Sequence, residues 1–442
     1  MNRLLLVFAL ILGTLSTLCA QAIKVEIKQD GQGNWQLLRG GAPYYIKGAG
    51  GHTQLDKLVS IGGNSIRTWS TDNAKEILDA AQEKGLTVMM GLWLQHERHG
   101  FDYDDKEKVA LQLAAFRKVV HEVKDHPALL LWGVGNEVDL DYHNTNVWYA
   151  VNDVAKMIHE VDPNHPTCTV TAGFDPAECK LILERAPEID IYGINTYSDI
   201  VKVKKEVRNA GWKGAYIISE WGPDGHWEVK KTRWGASVEQ SSSEKAATYE
   251  ARYTNCIAAD PQQCIGSYVF LWGQKQETTS TWYGLFSVND ESVEALDRLQ
   301  FIWTGKVPTN SAPHLDSLKL NGRTKGEDIL LTAAQPFDAH VVYSDVDKDK
   351  VKIRWQIIPE SNDIRSGGDA ERAPEALNGS LIRASGTNAT LKTPDNEGAY
   401  RLFVTLTDNN GHFAYSNIPF YVIPNQQNSQ KQKPVRFKKL TM

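Results

Sequence analysis

Between about residues 42 and 305 the sequence repeats one pattern eight times: a short apolar run of strand type, then an amphipathic stretch of helix type. The apolar runs fall at 44–48, 65–69, 87–94, 128–134, 167–171, 189–195, 215–219 and 265–271. Most are continuously apolar rather than alternating, as expected of parallel strands covered on both faces. The helical stretches carry ordinary stop signals, such as Gly85 after 73–84. Eight such units predict an α/β fold, a closed (β/α)8 TIM barrel. An open doubly wound sheet would want a glycine-rich phosphate turn after its first strand, and the KGAGGH segment at 47–52 lacks the GxGxxG spacing.

The flanking segments read differently. Residues 1–22 have the form of a secretory signal peptide: Arg3, an apolar run over 4–12, and Ala20-Gln21-Ala22 as a small-x-small cleavage site. The run is too short to span a bilayer, and no other stretch reads as a transmembrane segment. The expectation is an exported chain, periplasmic or extracellular. Residues 23–41 predict a hairpin able to plug the bottom of the barrel, so that the barrel unit covers 23–305. KVPTNSAPH at 306–314 is a linker by composition, and the short alternating runs of 315–425 predict a small immunoglobulin-like β-sandwich. Residues 426–442 form a basic tail expected to be solvated.

The charge balance excludes one class of partner. A net charge of −6 with no basic stripe in the body of the chain gives no case for nucleic acid. Beyond the leader, Cys168, Cys179, Cys256 and Cys264 remain; export permits disulfides. Cys256 and Cys264 flank a proline-containing turn and are a possible disulfide, while pairing of Cys168 with Cys179 is left open. None is spaced as a zinc ligand, and His52, His96, His99 and His143 are scattered over loops without metal-ligand spacing, so neither metal nor cofactor is expected.

In a barrel of this kind chemistry sits where strands meet the following loops. Two glutamates occupy such places, Glu137 after the fourth strand and Glu220 after the seventh. A facing pair of carboxyls is what glycoside hydrolysis needs: one donates a proton to the leaving oxygen and the other attacks the anomeric carbon. Arg67 at the second strand end is a candidate counter-charge for the attacking carboxylate, and Tyr197 beyond the sixth can donate to it. Asn136 is a candidate ligand for a sugar hydroxyl. Aromatic residues crowd the predicted mouth (Trp69, Trp93, Trp148, Trp221, Trp227, Trp234, Trp272, Trp282 and Tyr283) and could stack on sugar faces, with about half expected in the core. His52 and His143 are further candidates for contact with substrate.

These segments also carry a family resemblance. LLLWGVGNEVD resembles the acid/base motif of glycoside hydrolase clan A, and YIISEWGP its nucleophile motif. GGNSIRTW, IDIYGINTYS and YVFLWGQKQETTSTWYGLF resemble the strand-two, strand-six and strand-eight segments of that clan. The resemblance runs from about residue 42 to 290. Within the clan, IKGAGGH and the strand motifs are similar to the barrel of family 2, without the jelly roll usual before it. Other features are similar to family 5 and to the β-1,3-glucan transglycosylases of family 72. The resemblance implies Glu137 as acid/base, Glu220 as nucleophile, Trp272 as floor of the sugar site, and a retaining mechanism through a covalent glycosyl-enzyme.

The function expected is therefore that of an O-glycosyl hydrolase acting on carbohydrate, a β-glucan-like polysaccharide or oligosaccharide. A glucan transglycosylase using the same site is the alternative. A catalytically silent carbohydrate-binding barrel is the reading from a different class, and the presence of both carboxylates argues against it. The C-terminal sandwich is expected to be structural or accessory.

Overall fold

The computed structural model describes residues 21–425 together with 437, 439 and 440. The expected leader therefore lies outside the described residues, as does most of the basic tail. Three short strands come first: β1 (Val25–Gln29), β2 (Trp35–Arg39) and β3 (Ala42–Pro43), paired antiparallel in that order. Eight parallel strands follow and close on themselves: β4 (Ile46–Gly50), β5 (Ser65–Arg67), β6 (Thr87–Leu92), β7 (Leu129–Val134), β8 (Thr167–Ala172), β9 (Ile191–Asn195), β10 (Tyr216–Trp221) and β11 (Cys264–Val269). The helices between and after them are α1 (Leu55–Ser60), α2 (Ala74–Glu83), α3 (Lys106–Val123), α4 (Val147–Val161), α5 (Pro176–Arg185), α6 (Ile200–Ala210), α7 (Ser242–Arg252) and α8 (Glu294–Thr304). Each strand is followed by its helix, as the eightfold pattern predicts.

Local chemistry fixes several boundaries. Ser241 and Glu244 form a reciprocal capping box that starts α7, and Asp175 with Pro176 starts α5. The sequence suggests one helix over 244–259; instead α7 ends at Arg252 and a π-turn, Tyr253–Ile257, completes the segment.

The barrel has two cores. Ile46, Met89, Leu131, Val170, Ile191, Ile217 and Tyr268 fill its interior together with Val25 and Leu37 of the hairpin. The hairpin is tied to segments that precede barrel strands, Val25 N to Asn164 O and Trp35 N to Gln262 O, each at 2.8 Å. It thus closes the bottom and leaves the opposite end for chemistry. The second core lies between strands and helices and includes Trp132, Trp148, Trp221 and Trp272.

The remaining chain forms two four-stranded sheets. β12 (His314–Leu320), β14 (Pro336–Ser344), β17 (Asn388–Lys392) and β16 (Leu381–Ser385) make one. β13 (Ile329–Thr332), β19 (Phe413–Ile423), β18 (Gly398–Thr407) and β15 (Lys352–Pro359) make the other. Alternate residues of both sheets, among them Leu318, Phe337, Trp355, Leu402 and Phe420, share a single core.

Barrel and sandwich are fused rather than loosely tethered. Phe413 and Tyr415 of β19 belong to the barrel's outer core. Lys245 of α7 donates to Glu239 Oε1 (2.6 Å), the carbonyls of Thr281 and Trp282, and Tyr415 Oη (3.0 Å). Arg401 donates to Asn417 Oδ1, Ser237 O and Glu360 Oε2, and Asn417 donates in turn to Glu239 Oε2. These four charged side chains are buried. Burial drives the Lys245 ammonium down to about 8. Burial also works against the Glu239 carboxylate, but Lys245 and Arg401 outweigh it and hold its pKa below the ordinary value. Of the tail, Phe437 and Leu440 are described and pack against Trp234 rather than standing free in solvent.

The possible disulfide is not formed: among the described residues all four cysteines are free thiols. Cys256 sits in the π-turn, whereas Cys264 opens β11, fully buried, with Sγ 3.5 Å from Gly266 O. Nearness in sequence does not bring the two sulfurs within the narrow geometry a disulfide requires.

Candidate active site

The strands deliver five polar residues to one end of the barrel. Arg67 ends β5, Asn195 ends β9, Glu220 lies next to last in β10, and Asn136-Glu137 follows β7. Gly135 (φ 76°) and Glu137 (φ 48°) both take left-handed backbone conformations. That conformation costs a non-glycine residue roughly 1–2 kcal/mol. It is held by Glu137 N donating to Val170 O at 2.9 Å. Gly91 of β6 is required for a different reason: a Cβ there would stand 2.5 Å from Thr68 O and from the Trp69 backbone carbon. Its absence lets the segment carrying Trp69 cross close over the sheet.

Arg67, 2% exposed, organises the centre. Its Nη1 donates to Glu220 Oε1 (3.0 Å), Ser219 O (2.7 Å) and Asn195 Oδ1 (3.2 Å), and its Nη2 to Asn136 Oδ1 (2.6 Å). Trp69 Nε1 donates to Glu220 Oε1 at 2.7 Å, and Tyr197 Oη to Oε2 at 3.3 Å. Burial and then the Glu220 charge raise the Tyr197 phenol well above its ordinary range, so it stays a donor. Glu220 is therefore a buried carboxylate facing one full positive charge and three donors.

Glu137 is treated differently. It keeps a solvent-accessible face while lying deep in the mouth. Among the described residues its one side-chain bond comes from Asn195 Nδ2, at 2.7 Å from Oε1. Burial, and next the charge of Glu220, push it up to about 7. Neighbouring Asp139, which accepts from Ala172 N, is pushed up to about 8 by burial and then by Glu137. Of the two carboxyls in the mouth, only Glu220 is bonded to a cation, and Glu137 is bonded to a neutral amide.

Asn195 is the residue that sequence reasoning does not single out. It donates to Glu137 and Asn136 and accepts from Arg67 and Ser219 Oγ. The motif holding it was legible, but an asparagine at a strand end carries no mark that separates a hub from a turn residue.

The structure brings together Glu137, Glu220, Arg67, Asn136, Tyr197 and Trp69, and separates others from them. Trp272 is 1% exposed; its Nε1 donates to Thr53 O and its ring packs edge-on against Phe286, in the core between strands and helices. The expectation of a sugar floor at Trp272 is thus corrected. From this segment Phe270 and Tyr283 pack against Tyr197, and Phe270 also against Trp69, the two side chains that donate to Glu220. Trp221 is wholly buried on the helix side against Tyr249 and Tyr253, because adjacent strand residues face opposite ways and Glu220 takes the mouth. His143 is 90% exposed and its nearest charged partner is Glu97, so it does not reach the carboxylates. His52 is exposed, with no side-chain hydrogen bond to the described residues. Of the other aromatics, Trp148, Trp234 and Trp282 are buried, and Trp227 is 55% exposed beside Tyr197, at 5.7 Å between ring centroids.

Comparisons with known proteins agree with the barrel fold. Residues 53–226 match the family model described as glycosyl hydrolases family 2, TIM barrel domain. Of the resemblances drawn from the motifs, that to family 2 is supported by this match; those to families 5 and 72 are not. The β-glucuronidase of Chlorocebus aethiops is 25% identical over 183 residues, 37% of this chain and 26% of the relative. That of Felis catus is 23% identical over 225 residues, 43% of this chain and 32% of the relative. The chain thus spans about a quarter to a third of the length of these curated relatives. Among solved structures, the FMN-binding β-glucuronidase from Faecalibacterium prausnitzii L2-6 superimposes with a TM-score of 0.51 at 14% identity, covering 90% of this chain and 59% of that one. The Bifidobacterium dentium β-glucuronidase complexed with coumarin-3-O-glucuronide gives 0.50 at 19% identity, covering 64% and 49%. These likenesses show the fold.

Proposed function

We propose that the chain is a retaining β-glycoside hydrolase, with Glu137 as acid/base and Glu220 as nucleophile. One observation carries this reading: two carboxyls share the mouth, and only Glu220 is neutralised by a guanidinium, while Glu137 is pushed up to about 7. In the first step a Glu220 oxygen attacks the anomeric carbon and the bond to the leaving oxygen breaks as Glu137 gives that oxygen its proton. In the second, Glu137 takes a proton from water, the water oxygen attacks the anomeric carbon, and Glu220 leaves with its electron pair. Trp69, Tyr197 and Arg67 hold Glu220 in place for attack. The free Nδ2 of Asn136 can bind a sugar hydroxyl, because its Oδ1 is taken by Arg67 and Asn195. No step calls for a cofactor.

For the substrate we infer a neutral β-glucan-type chain. Three cations near the mouth are engaged by carboxylates: Arg67 by Glu220, Lys275 by Glu277 and Arg98 by Asp369. Among the described residues the one guanidinium bonded to the reacting carboxyls, Arg67, is already paired with Glu220, so a uronate would find no free cation there. A second reading, β-glucuronide hydrolysis, is favoured by the activity for which the matched relatives are named. Transfer of the same glycosyl unit to a sugar instead of water would yield products longer than the substrate.

The test is incubation with 2-deoxy-2-fluoro β-glycosyl fluorides of glucose and glucuronic acid, followed by peptide mass mapping. A glycosyl adduct on Glu220, absent in Glu220→Gln, supports the mechanism, and the sugar that labels decides between the two substrates. Labelling at another residue would overturn the assignment.

A further inference from the structure

One contact joins parts of the molecule that the sequence keeps far apart. The segment between β15 and β16 leaves the sandwich and lies against the barrel mouth. Asp369 accepts two bonds from Arg98, Nη1 to Oδ2 at 2.8 Å and Nη2 to Oδ1 at 3.1 Å, and also lies 3.1 Å from His99 Nε2. On the opposite side of the ring, beyond β11, Lys275 Nζ donates to Gly368 O (2.6 Å) and Thr278 N donates to Glu371 Oε2 (2.7 Å).

Between these anchors the loop runs at backbone contact distance. A Cβ on Gly367 would lie 2.6 Å from Leu140 and 2.7 Å from Arg98 Nη2; one on Gly368 would lie 2.7 Å from Lys275 Nζ and 3.9 Å from Glu277 Oε2. Both glycines have positive φ, 60° and 69°. Glu277 is buried and its charge is felt at Glu137 and influenced by Glu220. Leu140 stands three residues beyond Glu137, and its amide donates to the Glu137 carbonyl. The loop therefore bridges the segments after β6 and β7 to the segment after β11, which carry Leu140, three residues from Glu137, and the buried Glu277.

We propose that residues 361–374 of the sandwich form a wall of the substrate cleft, latched by Arg98–Asp369 and Lys275–Gly368, and that this wall contacts sugar units beyond the one undergoing cleavage. The chemistry of the wall suits a glycan. It presents backbone at Gly367 and Gly368 and a rim of paired charges, Arg98 with Asp369 among them, groups that hydrogen-bond hydroxyls. The sandwich is on this view a specificity element for an extended chain rather than a spacer. The inference rests on the carbohydrate reading above for its ligand, but not on the identity of the nucleophile.

The experiment has two arms. In the first, Glu220→Gln is mixed with laminaripentaose, cellopentaose or glucose, and hydrogen exchange is followed in peptides covering 361–374. Either pentaose, but not glucose, is expected to slow exchange there. In the second, kcat/KM is measured for Arg98→Ala, Asp369→Ala and the swapped pair Arg98→Asp with Asp369→Arg. Both single variants are expected to lose about tenfold more on a pentaose than on 4-nitrophenyl β-glucoside, the loss lying in KM, and the swap to recover most of it. Equal losses on both substrates, or no protection of 361–374 by either pentaose, would overturn the wall. Protection by a pentaose in a protein that cleaves nothing would leave the wall standing and sink the proposed hydrolysis instead. Cleavage without protection would do the reverse.

Discussion

Asn195 Nδ2 lies 2.7 Å from Glu137 Oε1, while its Oδ1 accepts from the same Arg67 nitrogen that binds Glu220. A single amide thus spans the two carboxyls, donating to one and accepting from the counter-ion of the other. Asn195→Ala is expected to lower kcat by about 100-fold or more, comparable to loss of one preorganised donor elsewhere. Its hydrogen bond favours the charged form of Glu137. Removing it should therefore move the alkaline limb of the pH–rate profile upward, which a kcat/KM profile over pH 5–9 would register. A lowered rate with an unmoved limb would argue that Asn195 acts on Glu220 alone.

The raised Glu137 also has a consequence for stability. Its folded pKa of about 7 stands above the ordinary 4.5. Below 4.5 both folded and unfolded chains hold the proton; between 4.5 and 7 only the folded chain does, so stability falls as pH rises through that window. Glu137→Gln should therefore be more stable than the parent at pH 8, by about 1–3 kcal/mol, and indistinguishable from it at pH 4. Thermal melts at the two pH values check this. A variant equally stabilised at both would point to some cause other than ionisation.

Lys245 is expected to matter to the whole molecule. Its removal leaves Glu239 buried and short of its nearest cation, a loss of about 3–5 kcal/mol for pairs of this kind. Lys245→Ala should thus lower the denaturant midpoint for barrel and sandwich together, followed by tryptophan fluorescence. Lys245→Met with Glu239→Gln should be much milder than the single change. If the sandwich unfolded alone, with the barrel untouched, the network would not be coupling the two.

The free thiols give a simpler expectation. Dithiothreitol should leave the melting temperature unchanged, and Cys256, the most accessible of the four described, should react first with a maleimide in the folded protein. A fall in melting temperature on reduction would show a bond that the sulfur positions do not allow.

What the sequence makes legible follows from the range of the physics involved. The eight strands could be read because each is a local apolar run, and the two glutamates because a strand end is a local position. Trp272 could not be placed, since its side depends on where β11 stops, and β11 stops at Val269. Beyond that point Phe270, not Trp272, packs against Trp69 and Tyr197. Trp221 was a matter of alternation: with Glu220 facing the mouth, its neighbour had to face the helices. Asn195 was missed because a hub is defined by four partners from three segments, none near it in sequence. Gly367 to Glu371 was invisible for the same reason: its partners lie about 93 and 271 residues away, and no periodicity marks such a contact.

The buried charges between α7 and the sandwich bear on the connecting peptide itself. Ala312 N is held by Asp297 and Leu315 N by Ser243, so the strand entering the sandwich is fastened directly to the barrel on arrival. The few residues between Thr304 and Asn310 add chain continuity and little else. A protease cut there should yield two fragments that travel as one particle, in effect a heterodimer made from a single gene product.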